Sequence, residues 1–262
     1  MEYSILYHTV IPFVLSALVV IIITVIAEKY GTKTGGILGT LPSTIIIAFL
    51  FISLDKGVLF ASESVIVVPA EMGINGIFLL IFALLSKKRL LLALTGSLLG
   101  WTMLTLVIYY LTLSSIVVSL VVFLACLLTG LFILDKKKKI ASQDTIRVHY
   151  TTLKLLGRSL IAGIVIAIAV SFSNLGPMLS GIFSVFPAIF LSTMIISLRE
   201  HGPQFTGAMA KSMLYGSPSV VSYAVGIHFL YPIIGILQGT ITAFFIGLVV
   251  TLILFMLRKH LR

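Results

Sequence analysis

Two twelve-residue stretches decide how this chain folds: GTKTGGILGTLP at positions 31–42 and GPMLSGIFSVFP at positions 176–187. Because matches at one fixed spacing are the sequence signature of a repeat, they predict an internal duplication. A shift of 145 residues, here called the repeat spacing, aligns five pairs in and just after these stretches: Gly31 with Gly176, Gly36 with Gly181, Pro42 with Pro187, Asp55 with Glu200, and Gly57 with Gly202.

The chain around these stretches is too apolar for a soluble protein. Of its 262 residues, 59% are hydrophobic and 10% are charged, and the mean hydropathy is +1.21. In a soluble domain roughly a quarter of the residues are charged. We therefore expect an all-α protein that crosses the lipid bilayer several times.

The apolar segments predict nine transmembrane helices, since about 20 apolar residues cross the bilayer as one helix. Residues 1–113 and 154–262 form two repeats of four spans, and they are joined by a central helix, 114–134, and a basic linker, 135–153. Five spans, an odd number, separate the two starts, so the second repeat is expected to lie upside down relative to the first. Inverted repeats of this kind are typical of secondary transporters. The predicted spans are 9–27, 34–54, 60–86, 90–111, 114–134, 159–174, 177–198, 207–230 and 232–257.

The positive charges orient these spans. In the nine-span arrangement 17 of the 18 lysines and arginines fall on one side of the membrane, and only Lys56 falls on the other. Since basic loops stay in the cytoplasm, we expect a protein of the plasma or inner membrane with its N-terminus outside and its C-terminus inside. The net charge of +10 is thus interpreted as a topology signal and not as nucleic-acid binding. The lysines at 136–139 either end a plain linker, which we favour, or bind lipid headgroups.

A family resemblance rests on the second half of the chain. Residues 154–257 resemble the GlpM-like family of small four-span membrane proteins, which have a glycine, Phe-Pro within a span, and a serine-rich, charged, glycine-ended exit. The first half departs from this pattern, with Leu41 before Pro42 and Asp55-Lys56 in place of Arg-Glu. The resemblance implies a fused pair of such units and implies no activity. The matching residues are Gly181, Phe186, Pro187, Ser197, Arg199, Glu200 and Gly202.

The two aligned prolines predict two broken helices. Pro42 and Pro187 lack an N–H and crowd the carbonyl groups of Leu38 and Phe183, four residues back. Lipid cannot satisfy a freed carbonyl, so such a break must face protein or a wet cavity. The functional interpretation is a solute site formed at the two breaks. Ser43 and Thr44 belong to the site at the first break. The alternative is that the prolines only shape their helices.

The third span carries the strongest single candidate, Glu71, with Asn75 one turn later. A carboxylate at this depth must face the bundle interior, pair with another group or be protonated, because an isolated charge in lipid is costly. Glu71 therefore suits a group that exchanges a proton or binds a cation, with Lys211 as a candidate charge partner. The alternative is a glutamate that reaches an extracellular vestibule or makes a structural hydrogen bond.

The eighth span contains a polar segment that predicts a bend and a hydroxyl-lined face. Serine hydroxyls in membrane helices also bond to their own backbone, which is the alternative interpretation. The segment comprises Ser217, Pro218, Ser219, Ser222 and Tyr223.

These patterns favour a secondary transporter that moves a small solute or ion by alternating access, coupled to a proton or cation at Glu71. A channel and a non-transporting protein of envelope or lipid homeostasis are the alternatives. An enzyme is not expected, because no catalytic constellation or P-loop is present, the five histidines are scattered and Cys126 is the single cysteine. We expect no metal or cofactor. The expected partners are the bilayer and the solute, and the sequence leaves homo-oligomer formation open.

Overall fold

The computed structural model describes residues 9–38, 41–134 and 151–260, and it describes side chains at 9–25, 41–134, 151–254 and 256. Within these ranges all regular structure is helical, which confirms the all-α prediction. The basic linker lies almost entirely outside the described residues. The helices are α1 (Ile11–Leu38), α2 (Ser43–Lys56), α3 (Val58–Leu85), α4 (Leu90–Tyr110), α5 (Ile116–Phe132), α6 (Thr152–Leu175), α7 (Pro177–Ser184), α8 (Ala188–Gly216), α9 (Pro218–Ile234) and α10 (Ile236–His260).

The apolar helices indicate a membrane protein. By length and composition, five helical stretches of the described chain could each cross a bilayer, and α1 and α5 add shorter apolar segments. The number of nine transmembrane helices stays a prediction. The five stretches are Val58–Leu85, Leu90–Tyr110, Thr152–Leu175, Pro177–Ile234 and Ile236–Leu254.

The helix boundaries differ from the predicted spans in two ways. Residues 28–33, expected as a loop, continue α1 as helix. The predicted spans 34–54 and 177–198 are each divided at their proline, so that α2 and α8 begin directly after Pro42 and Pro187. The reason is the same at both sites, because proline tolerates the start of a helix and not its interior.

The central helix of the bundle is α3. In its most apolar stretch 83% of the residues are buried, compared with 28% for α4 and α10. It packs against α2, α4, α5, α7, α8 and α9, while α1 packs along α6 and α9 along α10. A short 3-10 turn at Val65–Val67 interrupts α3, and the hydroxyl of Ser119 on α5 accepts a hydrogen bond from the backbone N–H of Ala70 just after it, at 2.9 Å. The irregular backbone is thereby satisfied inside the protein, as a membrane requires.

Two glycines that the repeat spacing aligns turn the chain in the same way. Gly57, between α2 and α3, has φ +86° and ψ 169°. Gly202, inside α8, has φ +78° and ψ −177° and divides that helix into two parts. Both values of φ are positive, which a residue without a Cβ adopts at little cost.

The tightest helix contact involves Gly181 on α7. A Cβ atom at this position would overlap the backbone carbonyl oxygen of Ser64 on α3. Glycine therefore lets α7 lie directly on α3, as small residues do at helix interfaces in membranes. This contact fixes the segment that leads into the second break.

Polar contacts join the helix ends at two separate places. Lys56, at the end of α2, donates a hydrogen bond to Asn174 at the end of α6, at 2.6 Å, and Ser173 donates to Asp55 at 3.2 Å. Lys154, at the start of α6, pairs with Glu200 on α8. The two contacts lie at opposite ends of α6, so they mark opposite faces of the bundle.

Candidate functional site

The two proline breaks have the same backbone geometry. Pro42 has φ −71° and ψ 56°, and Pro187 has φ −73° and ψ 35°. In each break the N–H of the residue after proline donates to the carbonyl of the residue before it, at 2.6 Å from Ser43 and 2.7 Å from Ala188. This pattern is the inverse γ-turn, in which one central residue with negative φ and positive ψ turns the chain. Each turn interrupts its helix without leaving that N–H unpaired.

Both breaks line one cavity. Its volume is about 550 Å³, counting the part that opens to the outside. Its lining is mostly apolar with a few placed polar groups, as in small-molecule sites. Positions on α3, α6 and α9 complete the wall beside the breaks. Among its lining residues are Leu41, Pro42, Ser43, Thr44, Ile45, Met72, Asn75, Ser184, Val185, Phe186, Pro187, Ala188, Ile189, Phe190 and Val220.

Most of these lining residues form pairs at the repeat spacing. The cavity thus contains positions of the first half of the chain together with the positions that the repeat spacing aligns with them in the second half. The six pairs are Leu41 with Phe186, Pro42 with Pro187, Ser43 with Ala188, Thr44 with Ile189, Ile45 with Phe190, and Asn75 with Val220.

The paired positions differ in polarity. The first half contributes Ser43, Thr44 and Asn75, and their partners in the second half are apolar. In the part of the chain that the structure describes, the Ser43 and Thr44 hydroxyls make no hydrogen bond. Ser222 on α9, in contrast, donates to the carbonyl of Pro218 four residues back. The Ser43 and Thr44 hydroxyls are available to a solute.

Asn75 connects α3 to the second break. Its side-chain NH₂ group donates to the backbone carbonyl of Val185 at 2.7 Å, and the residue is 1% exposed. A carbonyl oxygen only accepts, so this bond fixes the orientation of the amide. The amide oxygen has no hydrogen-bond partner among the described residues.

Glu71 lies one turn before Asn75 and is 0% exposed. The hydroxyl of Thr105 on α4 donates to its Oε2 at 2.9 Å, while its Oε1 has no hydrogen-bond partner within the described chain. The predicted partner Lys211 is not among the described contacts of the carboxylate, and the vestibule alternative does not fit a fully buried side chain. Glu71 does not line the cavity itself; its neighbours Met72 and Asn75 do.

The polar residues of α9 do not join this site. Ser217, Ser219 and Ser222 each donate to a carbonyl three or four residues back, as the alternative interpretation expected. Tyr223 is fully buried against α10, and the predicted bend before Pro218 is a single residue whose backbone angles stay helical. From this helix the cavity receives Val220.

The carbonyl groups predicted to be freed are described at one break. At the second break the Phe183 carbonyl accepts from the N–H of Phe186 at 3.2 Å, so it is not free. The oxygen that does face α3 is that of Val185, two residues later. At the first break Leu38 ends α1, and its side chain lies outside the described set.

Sequence reasoning missed the contribution of α4. Trp101 packs edge-on against Phe186 with ring centroids 5.0 Å apart, and Thr105 follows one turn later to bond Glu71. The signal was available, because Trp101 and Thr105 are spaced four residues apart in a span where a single tryptophan and a threonine share one face. Both are buried, on a helix that is mostly exposed.

The comparisons with known proteins give one match. Residues 9–115, 107 of the 262, match the model of a family described as "Protein of unknown function (DUF3147)". No curated protein and no solved structure matches the chain. The predicted GlpM-like relationship and the internal duplication therefore stay predictions, and over α1 to α4 the chain is similar to an uncharacterised family.

Proposed function

We propose that this membrane protein is a secondary transporter, which moves a small solute or ion by alternating access through the cavity between the two breaks. One observation carries the proposal: two breaks of the same geometry, aligned by the repeat spacing, line one cavity in equivalent pairs. Interrupted helices that meet between two inverted repeats are the usual construction of a transporter site.

The contacts on the two faces of the bundle support an alternating mechanism. Asp55 and Glu200 are equivalent at the repeat spacing, and each takes part in a polar contact with an end of α6. Opening one contact while the other stays closed would expose the cavity to one side at a time. The Lys154–Glu200 ion pair suits this role, because a surface ion pair stabilises by only about 0–1 kcal/mol.

Glu71 is the coupling residue in this proposal. It is the fully buried carboxylate of α3, one of its oxygens has no hydrogen-bond partner among the described residues, and the residue comes one turn before Asn75, which lines the cavity. A buried carboxylate is stable when it is protonated or when a cation neutralises it. Transport would switch Glu71 between these two forms.

Flux measurements in proteoliposomes test the coupling. A pH-sensitive dye inside the vesicles reports proton movement as amino acids, sugars, polyols, organic acids and metal ions are added one at a time. We expect one class to drive proton movement, and Glu71→Gln to abolish it while the melting temperature in detergent is retained. Glu63→Gln is the matched control, because Glu63 lies on the same helix and is exposed.

The same preparations separate the alternatives. A channel would give single-channel conductance in planar bilayers, which a transporter lacks. A non-transporting protein would show neither conductance nor compound-dependent proton movement for any member of the panel. Either result would overturn the proposal, as would coupled flux that is unchanged in Glu71→Gln.

A further inference from the structure

Two buried hydrogen-bond acceptors lie on one face of α3. Oε1 of Glu71 and Oδ1 of Asn75 are both buried, and neither has a hydrogen-bond partner in the described part of the chain. Residues four apart on a helix have Cβ atoms about 5–6 Å from each other. An unsatisfied buried acceptor is unfavourable, so two of them one turn apart on α3 indicate a ligand that supplies donors.

The cavity offers further acceptors and no positive charge. No lysine, arginine or histidine is among its lining residues in the described chain. The hydroxyls of Ser43 and Thr44 line it without hydrogen bonds to any described residue. An anion would find no cationic group among these lining residues, and the buried guanidinium of Arg158, one turn before the lining residue Ala162 on α6, already donates to the hydroxyl of Thr193. A cation would find the oxygen atoms of Ser43, Thr44 and Asn75 on the wall, with the carboxylate of Glu71 one turn before Asn75.

The remaining wall is apolar and partly aromatic. Phe186 and Phe190 line the cavity, together with aliphatic residues of α2, α6 and α8, and Trp101 supports Phe186 from behind. A bare metal ion would need oxygen ligands on most sides, which this wall does not provide. An organic cation matches it better, because aromatic rings attract an ammonium group and apolar residues cover its hydrocarbon part.

We propose that the cavity binds a small organic cation, an ammonium ion with an apolar body, in exchange for the proton of Glu71. The inference rests on the proposed function and names its substrate class. The ammonium group would donate to Asn75 Oδ1 and neutralise Glu71. When the cation leaves, a proton from solvent takes its place on the carboxylate, so that charge is conserved in the exchange.

Other ionisable groups are placed where they do not substitute for Glu71. Besides Glu71, α3 carries Glu63, and α7, which packs against it, carries no ionisable group. The other helices packed against α3 carry Asp55 and Lys56 on α2, Tyr109 and Tyr110 on α4, Cys126 on α5, Arg199, Glu200, His201, Lys211 and Tyr215 on α8, and Tyr223, His228 and Tyr231 on α9. The carboxylate's hydrogen bond goes to none of these but to the neutral Thr105. Proton exchange at the cavity therefore falls to Glu71.

Isothermal titration of the purified full-length protein in detergent tests the proposal. The compounds are n-butylammonium chloride, its neutral analogue n-butanol, its anionic analogue sodium butyrate, and sodium chloride. We expect saturable binding of butylammonium alone, with release of about one proton per cation, obtained by repeating the titration in buffers of different ionisation enthalpy. Binding of sodium ion with proton release would instead identify an inorganic cation and overturn the organic assignment.

Three variants locate the site. Glu71→Gln should abolish proton release and raise the Kd for butylammonium at least about tenfold, whereas Glu63→Gln should leave both unchanged. Thr44→Val, which removes one cavity hydroxyl, should raise the Kd about threefold, and Thr95→Val, at an exposed position of α4 outside the cavity, should not. Unchanged melting temperatures establish that the variants fold, and wild-type affinity for butylammonium in both Glu71→Gln and Thr44→Val would overturn the assignment.

The outcomes distinguish this proposal from the transporter proposal. If no ammonium ion binds while another class of the panel drives Glu71-dependent proton movement, the substrate class is wrong and transport stands. If butylammonium binds with proton release while no compound, butylammonium included, drives more proton movement than it does in protein-free vesicles, the site stands and transport is wrong.

Discussion

The breaks at Pro42 and Pro187 share one backbone and differ in chemistry. Both are γ-turns that precede the start of a helix, and both line the same cavity. At the equivalent positions the first break carries Ser43 and Thr44, and the second carries Ala188 and Ile189. The two breaks thus have the same backbone geometry, and the side chains that follow their prolines differ in polarity.

Asn75 shows what this difference allows. Its amide donates to the second break at Val185, whereas the equivalent Val220 can make no such bond. Two identical units assembled as a dimer would have to place the same polar groups on both sides. A single chain with two unlike halves concentrates its acceptors on one wall and leaves the other apolar, which suits a ligand with one charged end.

The largest effect is expected from a substitution that disrupts the contact between α7 and α3 before the second break. In Gly181→Ala the added Cβ would overlap the Ser64 carbonyl, so α7 must move off α3. We expect destabilisation of about 3 kcal/mol or more, since backbone atoms give way less easily than side chains. Thermal unfolding in detergent measures it. The control is Gly157→Ala, where a Cβ meets open space and the change should be within about 1 kcal/mol of wild type.

The next largest effect is expected from removing the hydrogen bond between Asn75 on α3 and the Val185 carbonyl at the second break. Asn75→Leu leaves the Val185 carbonyl without its donor inside the bundle, at an expected cost of about 1–3 kcal/mol. Val220→Leu changes the equivalent wall position, which makes no hydrogen bond through its side chain, and should cost under about 1.5 kcal/mol. Equal losses of melting temperature in the two variants would show that this hydrogen bond does not stabilise the break.

A smaller effect tests whether the two breaks are equivalent hinges. Pro42→Ala and Pro187→Ala each allow helix to grow across a γ-turn, so we expect compound-driven proton movement to fall about tenfold in both. Pro232→Ala, in α9 and outside the cavity, is the matched control. Loss of flux in one variant and not the other would show that one half alone moves.

The smallest effect concerns the contacts on the two faces. Lys154→Gln removes the pair with Glu200, and Lys56→Gln weakens the contact with Asn174. Because these groups are partly exposed, the free energy of unfolding should change by under about 1 kcal/mol in each. The two variants should shift access to the cavity toward opposite faces, and a shift toward the same face in both would contradict the alternating account.

The sequence predicts this architecture well where a single residue type dictates the backbone. Pro42 and Pro187 place the breaks, Gly57 and Gly202 place the turns, and the depth of Glu71 places it in the interior. The repeat spacing could also be found from the sequence. It predicts that residues aligned by the repeat spacing lie close together. The six aligned pairs that line the cavity agree with this expectation.

The partners of the polar groups could not be predicted, because they depend on which helices touch. Glu71 bonds to Thr105 of the next helix, and Asn75 bonds to a backbone carbonyl 110 residues away. The serines of α9 looked equally suited to a site. Their hydroxyls donate to carbonyls of their own chain three or four residues back, whereas those of Ser43 and Thr44 make no hydrogen bond to the described residues.

Cysteine labelling of the two breaks tests the central claim most directly. In a Cys126→Ser background, Ser43→Cys and Ala188→Cys place one thiol at each of two equivalent wall positions, to be labelled by a membrane-impermeant maleimide in right-side-out and inverted vesicles. The account predicts that both thiols react from either side, and that n-butylammonium shifts both together toward one side. If one thiol reacts only from one side of the membrane and the other thiol reacts only from the opposite side, the result would contradict a shared cavity with alternating access.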